Sequence, residues 1–319
     1  MANHADSSHS SRLVVSRGEA GYPLALLELA DPPERLFVRG RWPVPGIPVA
    51  IVGARAATPY GLELAARLGG SLARLGLTVV SGLAHGIDAA AHRAALAAGG
   101  ATLAILPGGL DCVVPRGHEP LSRQIAARGA LLSEQESGPP RHSGAFLDRN
   151  RLIAALARAV VVVEARVKSG ALNTAFHARG LGRPVLAVPG DVDRETSRGC
   201  HALLRRGARV CEDAADILAA IEEPRAVGSR AGGRECGVLS LALEEPAPGS
   251  MAPARAPQEP AAAVRLLEVL SKGPRSAEQC ASIGGLAMEE VQALLLELEW
   301  AGLVAAVPGG RWRRLSAER

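Results

Sequence analysis

The chain has 319 residues, 48% hydrophobic and 21% charged, with a net charge of +4, which suits one large globular domain plus a small one. No apolar run reaches the roughly 18 residues that span a bilayer, and Met1–Ser11 lacks the apolar core of a secretory signal, so a cytoplasmic protein with no membrane partner is expected. Five scattered cysteines (Cys112, Cys200, Cys211, Cys236, Cys280) form no Cys-x-x-Cys pair, which argues against a zinc site or a disulfide framework.

Residues 1–21 read as a disordered tail. Tyr22–Gly40 is a lead-in with a Pro32-Pro33 turn and a short strand, Leu36–Val38. Regular alternation then begins. Strands are expected at Val49–Val52, Thr78–Ser81, Ala101–Leu106, Ala130–Ser133, Val160–Val163, Pro184–Val188 and Ala208–Val210. Helices are expected at Gly61–Leu75, Asp88–Ala98, Leu121–Ala127, Asn150–Ala157, His201–Arg206 and Ala214–Ile221, with one more after Lys168-Ser169-Gly170. Uninterrupted apolar strands alternating with helices define an α/β class: a doubly wound, mostly parallel sheet covered on both faces, over residues 22–221. Residues 222–260, rich in Pro, Gly, Ala and Glu, read as a flexible linker interrupted by one apolar patch, Val238–Leu243. Residues 261–319 recover order as three helices (Val264–Leu270, Ser276–Ser282, Met288–Ala301) and a hairpin, a small winged-helix domain. Its third helix carries Glu289, Glu290, Glu297 and Glu299 and no basic residue, which disfavours phosphate contact and favours a protein-interaction role. Arg311-Trp312-Arg313-Arg314 in the wing remains available to a phosphate.

Four turns fall at strand ends of the large domain, where open α/β sheets bind ligands. Gly53-Ala54-Arg55 offers close backbone approach and a bidentate guanidinium. Ser81-Gly82-Leu83-Ala84-His85-Gly86 leads into a helix N-terminus, with Asp88 expected as its N-cap. Pro107-Gly108-Gly109 is the third. Lys168-Ser169-Gly170 is the fourth; Lys168 is one of two lysines in a chain with 36 basic residues, a compact point charge suited to a phosphate. Arg149–Arg209 holds twelve basic and four acidic residues, a local excess that reads as a patch for a polyanion. Phe146, in a polar loop just before it, is placed either to stack a single-strand base or to anchor its loop. Arg149 and Asn150 are expected to start a helix and brace the Lys168 turn. His85 and His92 read as helix-surface residues rather than metal ligands. Neither a Walker lysine motif nor GxGxxG is present, and no serine sits in a nucleophile elbow; no cofactor, metal or catalytic residue is assigned.

The stretches YPLALLELADPPERLFVRG, VAIVGAR, VVSGLAHGIDAAAH, LPGGLD, LLSE, FLDRNRLIAAL, VVVEA, KSGALNTA and GRPVLAVPG, in this order across residues 22–221, resemble the DNA-processing protein A (DprA, or Smf) family. The C-terminal piece resembles that family's winged-helix extension. The resemblance implies an extended Rossmann-like domain that binds single-stranded DNA, dimerises, loads RecA onto single strands in natural transformation and displaces single-strand-binding protein, without catalysis. Carried onto this chain, the DNA-binding residues would be Gly53, Arg55, Ser81, Gly82, Lys168, Ser169 and Gly170, with Phe146, Arg149 and Asn150 beside them. Departures occur at the pocket rim: Val114-Pro115 and Gly117-His118-Glu119 replace a Tyr-Pro and an asparagine, and His201 stands at another asparagine position. The alternative is a phosphoribohydrolase-like enzyme on a related sheet, although PGGLDCVVP lacks the Gly-Thr and glutamate of PGGxGTxxE. A third possibility is a transcription regulator acting through the winged helix.

Overall fold

The computed structural model describes residues 12–223, 261–300, 303–307 and 310–315, which form two compact units. The first contains β1 (Arg12–Ser16), β2 (Arg35–Gly40), β3 (Pro48–Val52), α1 (Pro59–Arg74), β4 (Thr78–Ser81), α2 (Ile87–Ala97), β5 (Thr102–Ile105), α3 (Glu119–Arg128), β6 (Ala130–Ser133), α4 (Ala145–Leu156), β7 (Ala159–Val162), α5 (Gly170–Gly180), β8 (Val185–Ala187), α6 (Glu195–Arg205), β9 (Arg209–Val210) and α7 (Ala214–Glu222). Its nine-stranded sheet runs β1-β2-β6-β5-β4-β3-β7-β8-β9. β3 to β9 are parallel, and β1 and β2 join antiparallel at one edge. This is the extended Rossmann-like sheet expected from the sequence.

Every residue of β4, β5, β6 and β7 is buried. Helices cover both faces, so these strands need no polar side and read as continuous apolar runs. The buried polar exceptions have fixed partners. The Ser81 hydroxyl of β4 donates to the Ile51 carbonyl of β3 at 2.6 Å. The Thr102 hydroxyl of β5 donates to the Val79 carbonyl at 2.7 Å.

α1 starts on a Thr58 N-cap that accepts from the Gly61 N–H, with Pro59 following. It buries Leu64, Leu68 and Leu72 at i, i+4 spacing. Gly69 brings it against α2: a Cβ there would lie 2.6 Å from the Ala91 carbonyl oxygen.

Several expectations are corrected. Residues 12–16 of the expected tail form β1, paired residue by residue with β2; residues 1–11 lie outside the described residues. α7 runs through Glu222, and residues 224–260, including Val238–Leu243, lie outside the described residues. His92 is not on a helix surface. It is fully buried, with Nδ1 2.7 Å from the Thr102 hydroxyl oxygen. That hydroxyl's proton goes to Val79, so Nδ1–H donates. Burial pushes its pKa down from 6.5 to about 3.

The unfolded chain therefore takes up this proton below pH 6.5 while the folded chain refuses it until about 3. Stability is lost as pH falls through that window. Urea unfolding at pH 7 and pH 5 is expected to differ by about 2 kcal/mol less in His92→Leu than in the parent; an unchanged difference would refute the assignment.

The second unit contains α8 (Ala261–Ser271), β10 (Arg275–Ser276), α9 (Ala277–Gly284), α10 (Met288–Trp300), β11 (Val304–Val307) and β12 (Arg311–Arg314). The three helices pack around Leu266, Leu270, Cys280, Leu294 and Val304, against a sheet of order β10-β12-β11: a winged helix. A Ser276–Gln279 capping box opens α9, and Gly285 in the left-handed region closes it. The acidic face of α10 is smaller than its glutamate count: Glu299 is half-buried, accepts from the Ala306 N–H at 3.1 Å, and burial raises its pKa to about 7.

Candidate nucleic-acid interface

From β3 the chain winds outward through β4, β5 and β6; from β7 it winds the other way through β8 and β9. The loops leaving β3 and β7 therefore diverge, and a crevice opens at this switch point. Three of the four expected turns meet there.

The β3 loop is locked in place. Gly53 sits where a Cβ would lie 2.6 Å from Ile87 Cγ1 and 3.0 Å from the Glu164 carbonyl oxygen. Gly86 has φ +73, and a Cβ on it would lie 2.2 Å from the Ala54 carbonyl oxygen, so the loops after β3 and β4 interlock. Beneath them lies Glu164, just past β7 and buried. Its carboxylate accepts from the Thr58 N–H at 2.9 Å and the Thr58 hydroxyl at 2.5 Å, and it fills space that a side chain on Gly61 would need. Sequence reading counted Glu164 only as an acidic residue in a basic stretch. The missed signal was a carboxylate directly following four buried valines.

Arg55 projects from this loop, exposed, with its guanidinium carbon 5.1 Å from the centroid of the Phe146 ring, a cation–π contact. Phe146 is not a loop residue. α4 begins at Ala145, which places Phe146 in the first turn, half-buried, with one face supporting Arg55.

Arg149, one helical step further, is buried at 6% exposure and does not face the crevice. Its Nη1 donates to the Gly82 carbonyl at 2.9 Å and to the Ile105 carbonyl. A Cβ on Gly82 would lie 2.3 Å from Arg149 Nη2, so a larger residue there would displace the guanidinium. Burial pushes the Arg149 pKa down to about 10, opposed by Asp88, so the guanidinium stays charged at neutral pH. Asp88 is not an N-cap: that position is Gly86. The Asp88 carboxylate instead accepts from the N–H groups of Gly82 (3.0 Å) and Ala84 (3.3 Å). Burial raises its pKa, and Arg149 opposes the rise. Ser81, Gly82 and Arg149 are thus scaffold for the crevice, not its surface.

Asn150 braces the Lys168 turn as expected. Its Nδ2 donates to the Gly170 carbonyl and to Asn173 Oδ1, both at 3.1 Å. Ser169 is the N-cap residue of α5 yet makes no side-chain cap bond, and its Oγ is buried without a partner. Lys168 is exposed and makes no ion pair among the described residues. An exposed ammonium, a hydroxyl without a partner and a helix N-terminus follow one another along the chain here, residue types that suit an anion.

The third turn does not join the crevice. The Gly109 N–H donates to the Gly138 carbonyl at 2.9 Å, the Asp111 carboxylate accepts from the Gly138 N–H, and a Cβ on Gly109 would lie 2.3 Å from Ser137 Cα; the chain's own residues fill it. Six of the twelve basic residues of the expected patch are engaged within the fold. Arg149 and Arg183 are buried. Arg151, Arg166, Arg194 and Arg209 pair with Glu134, Glu195, Asp191 and Glu223. The crevice's positive charge comes from Arg55 and Lys168. Among the described residues no group of three or more His, Cys, Asp or Glu side chains is placed to hold a metal, and no helix is long and apolar enough to cross a membrane.

An open doubly wound sheet with an arginine, a lysine and a helix N-terminus at its switch point is a Rossmann-like domain, carried here with a winged helix. The chain belongs to the DNA recombination-mediator protein A family, whose model matches residues 13–222; the DprA winged helix domain matches residues 250–310. A relative from Mycobacterium tuberculosis is 45% identical over 271 residues, covering 84% of this chain and 64% of that protein. Protein Smf of Escherichia coli is 35% identical, covering 91% of this chain and 74% of Smf. Among solved structures, DNA processing protein A from Streptococcus pneumoniae matches with a TM-score of 0.63 and 38% identity, over 66% of this chain and 75% of that one. DNA processing protein A from Helicobacter pylori, whose structure was described for its single-stranded DNA binding mode, matches with a TM-score of 0.60 and 30% identity, over 66% of this chain and 95% of that one.

Proposed function

We propose that this chain binds single-stranded DNA in the switch-point crevice and acts in the cytoplasm as a recombination mediator. It does so as a homodimer, loading RecA onto strands from which it displaces single-strand-binding protein, as in natural transformation, and catalyses no reaction itself. The observation that carries the reading is the Arg55 guanidinium over the Phe146 ring, on the same crevice as Lys168, which makes no ion pair among the described residues. A guanidinium for a phosphate beside an aromatic for a base is what a single strand needs, because its bases are free to leave their stack. Family membership and the single-stranded DNA binding described for the Helicobacter relative support it. The phosphoribohydrolase alternative has less support, since PGGLDCVVP lacks the Gly-Thr and the glutamate of its motif.

The test is fluorescence anisotropy with single-stranded and duplex oligonucleotides at two salt concentrations. Preference for the single strand is expected, with log K falling by about 0.7 per phosphate contact per decade of salt. Equal affinity for both forms would overturn the reading. Phe146→Ala is expected to weaken single-strand binding by about 1–3 kcal/mol, one base stack. Unchanged affinity would mean that Phe146 only supports Arg55. Sedimentation of the full chain as a single copy would refute the dimer.

A further inference from the structure

Beside the crevice, on the outer surface of the helical layer, α1 and α2 leave an open groove of about 610 Å³. Its origin lies in the sequence. Gly69 lets the two helices touch. Above that contact, Ala66 of α1 and Ala90, Ala94 and Ala97 of α2 line the groove, at positions where a surface helix ordinarily carries long polar side chains. The floor is therefore flat and apolar. Its charges are two arginines, Arg55 and Arg93, and no acidic residue lines it. Arg93 is exposed and makes no ion pair among the described residues. Arg55 and Gly86 line the groove and the crevice alike, so the two are one continuous surface.

We propose that the groove is a second binding subsite: the strand held at Arg55 and Lys168 continues between α1 and α2, its base faces on the alanine floor and a phosphate at Arg93. This rests on the single-strand reading above. Positive charge without acidic residues selects a polyanion. An acidic peptide would satisfy that charge too, but continuity through Arg55 favours the molecule already in the crevice. From Gly86 to Arg93, α2 rises about 10 Å at 1.5 Å per residue. The strand must therefore run on past Arg55 to reach Arg93, so a longer strand gains more from Arg93 than a short one.

The experiment compares the full-length chain with Arg93→Ala and Ala94→Asp, by anisotropy on oligothymidylates of about 4 and about 16 nucleotides across a salt titration. Arg93→Ala is expected to weaken binding of the long strand and reduce its salt slope by about 0.7, with a smaller loss on the short strand. Ala94→Asp, which sets a carboxylate on the floor, is expected to weaken the long strand more than the short one. Long-strand affinity that ignores both substitutions overturns the subsite and returns the groove to a protein partner. Equal losses on both lengths overturn it as well. If Arg55→Glu changes neither length, the crevice reading itself has failed, a distinct result.

Discussion

Arg149→Met is expected to lower the unfolding free energy by about 3–5 kcal/mol. The guanidinium is buried and bridges the carbonyls of Gly82 and Ile105, at the ends of two neighbouring parallel strands, β4 and β5. Methionine fills similar volume but leaves both carbonyls short of a donor. It also removes the cation opposite the buried Asp88 carboxylate, whose N–H partners are Gly82 and Ala84. Breaking a buried pair from one side costs more than the pair itself contributes, because the remaining charge is stranded. Adding Asp88→Asn to Arg149→Met should therefore recover part of the loss, with a positive coupling in the double-mutant cycle. Urea denaturation measures both. A loss within about 0.5 kcal/mol, the range of exposed positions, would mean the side chain is solvated and free to meet a ligand.

The fold was legible because its strongest signals are local. A run such as Val160–Val163 can be buried on both faces only in a covered parallel sheet, and glycine-rich turns punctuate each strand. The crevice was half legible for the same reason: Arg55, Lys168 and the turns that carry them are announced by neighbouring residues. Which polar groups face inward was not legible. Arg149 is buried by a carbonyl 67 residues earlier, and Thr58 finds its carboxylate 106 residues later; neither distance leaves a periodic trace. The basic stretch was legible only in part, because summing charge along a segment ignores where helices point their side chains, and six of its twelve basic residues turned to buried carbonyls or nearby acids. β1 was missed because five residues flanked by polar sequence become a strand only when β2 offers an edge.

The double reversal Arg55→Glu/Lys168→Glu is expected to lower single-strand affinity by roughly 10²–10³-fold at low salt and to flatten the salt slope by about 1.4, two contacts at about 0.7 each. Each substitution removes a phosphate partner and installs a repulsive charge. At position 55 the new carboxylate also faces the Phe146 ring, whose negative π face attracts a cation and repels an anion. Both side chains are exposed, so the stability change should stay within about 0.5 kcal/mol; that separates lost binding from lost fold, a separation Arg149→Met cannot offer. Each single reversal should remove about half of the slope change. If the double variant keeps parental affinity and slope while remaining folded, the strand does not lie in the switch-point crevice, whatever the family does elsewhere. If Lys168→Glu alone is silent while Arg55→Glu carries the whole effect, the N-terminus of α5 is not a phosphate site, and the orphaned Ser169 hydroxyl there belongs to the scaffold.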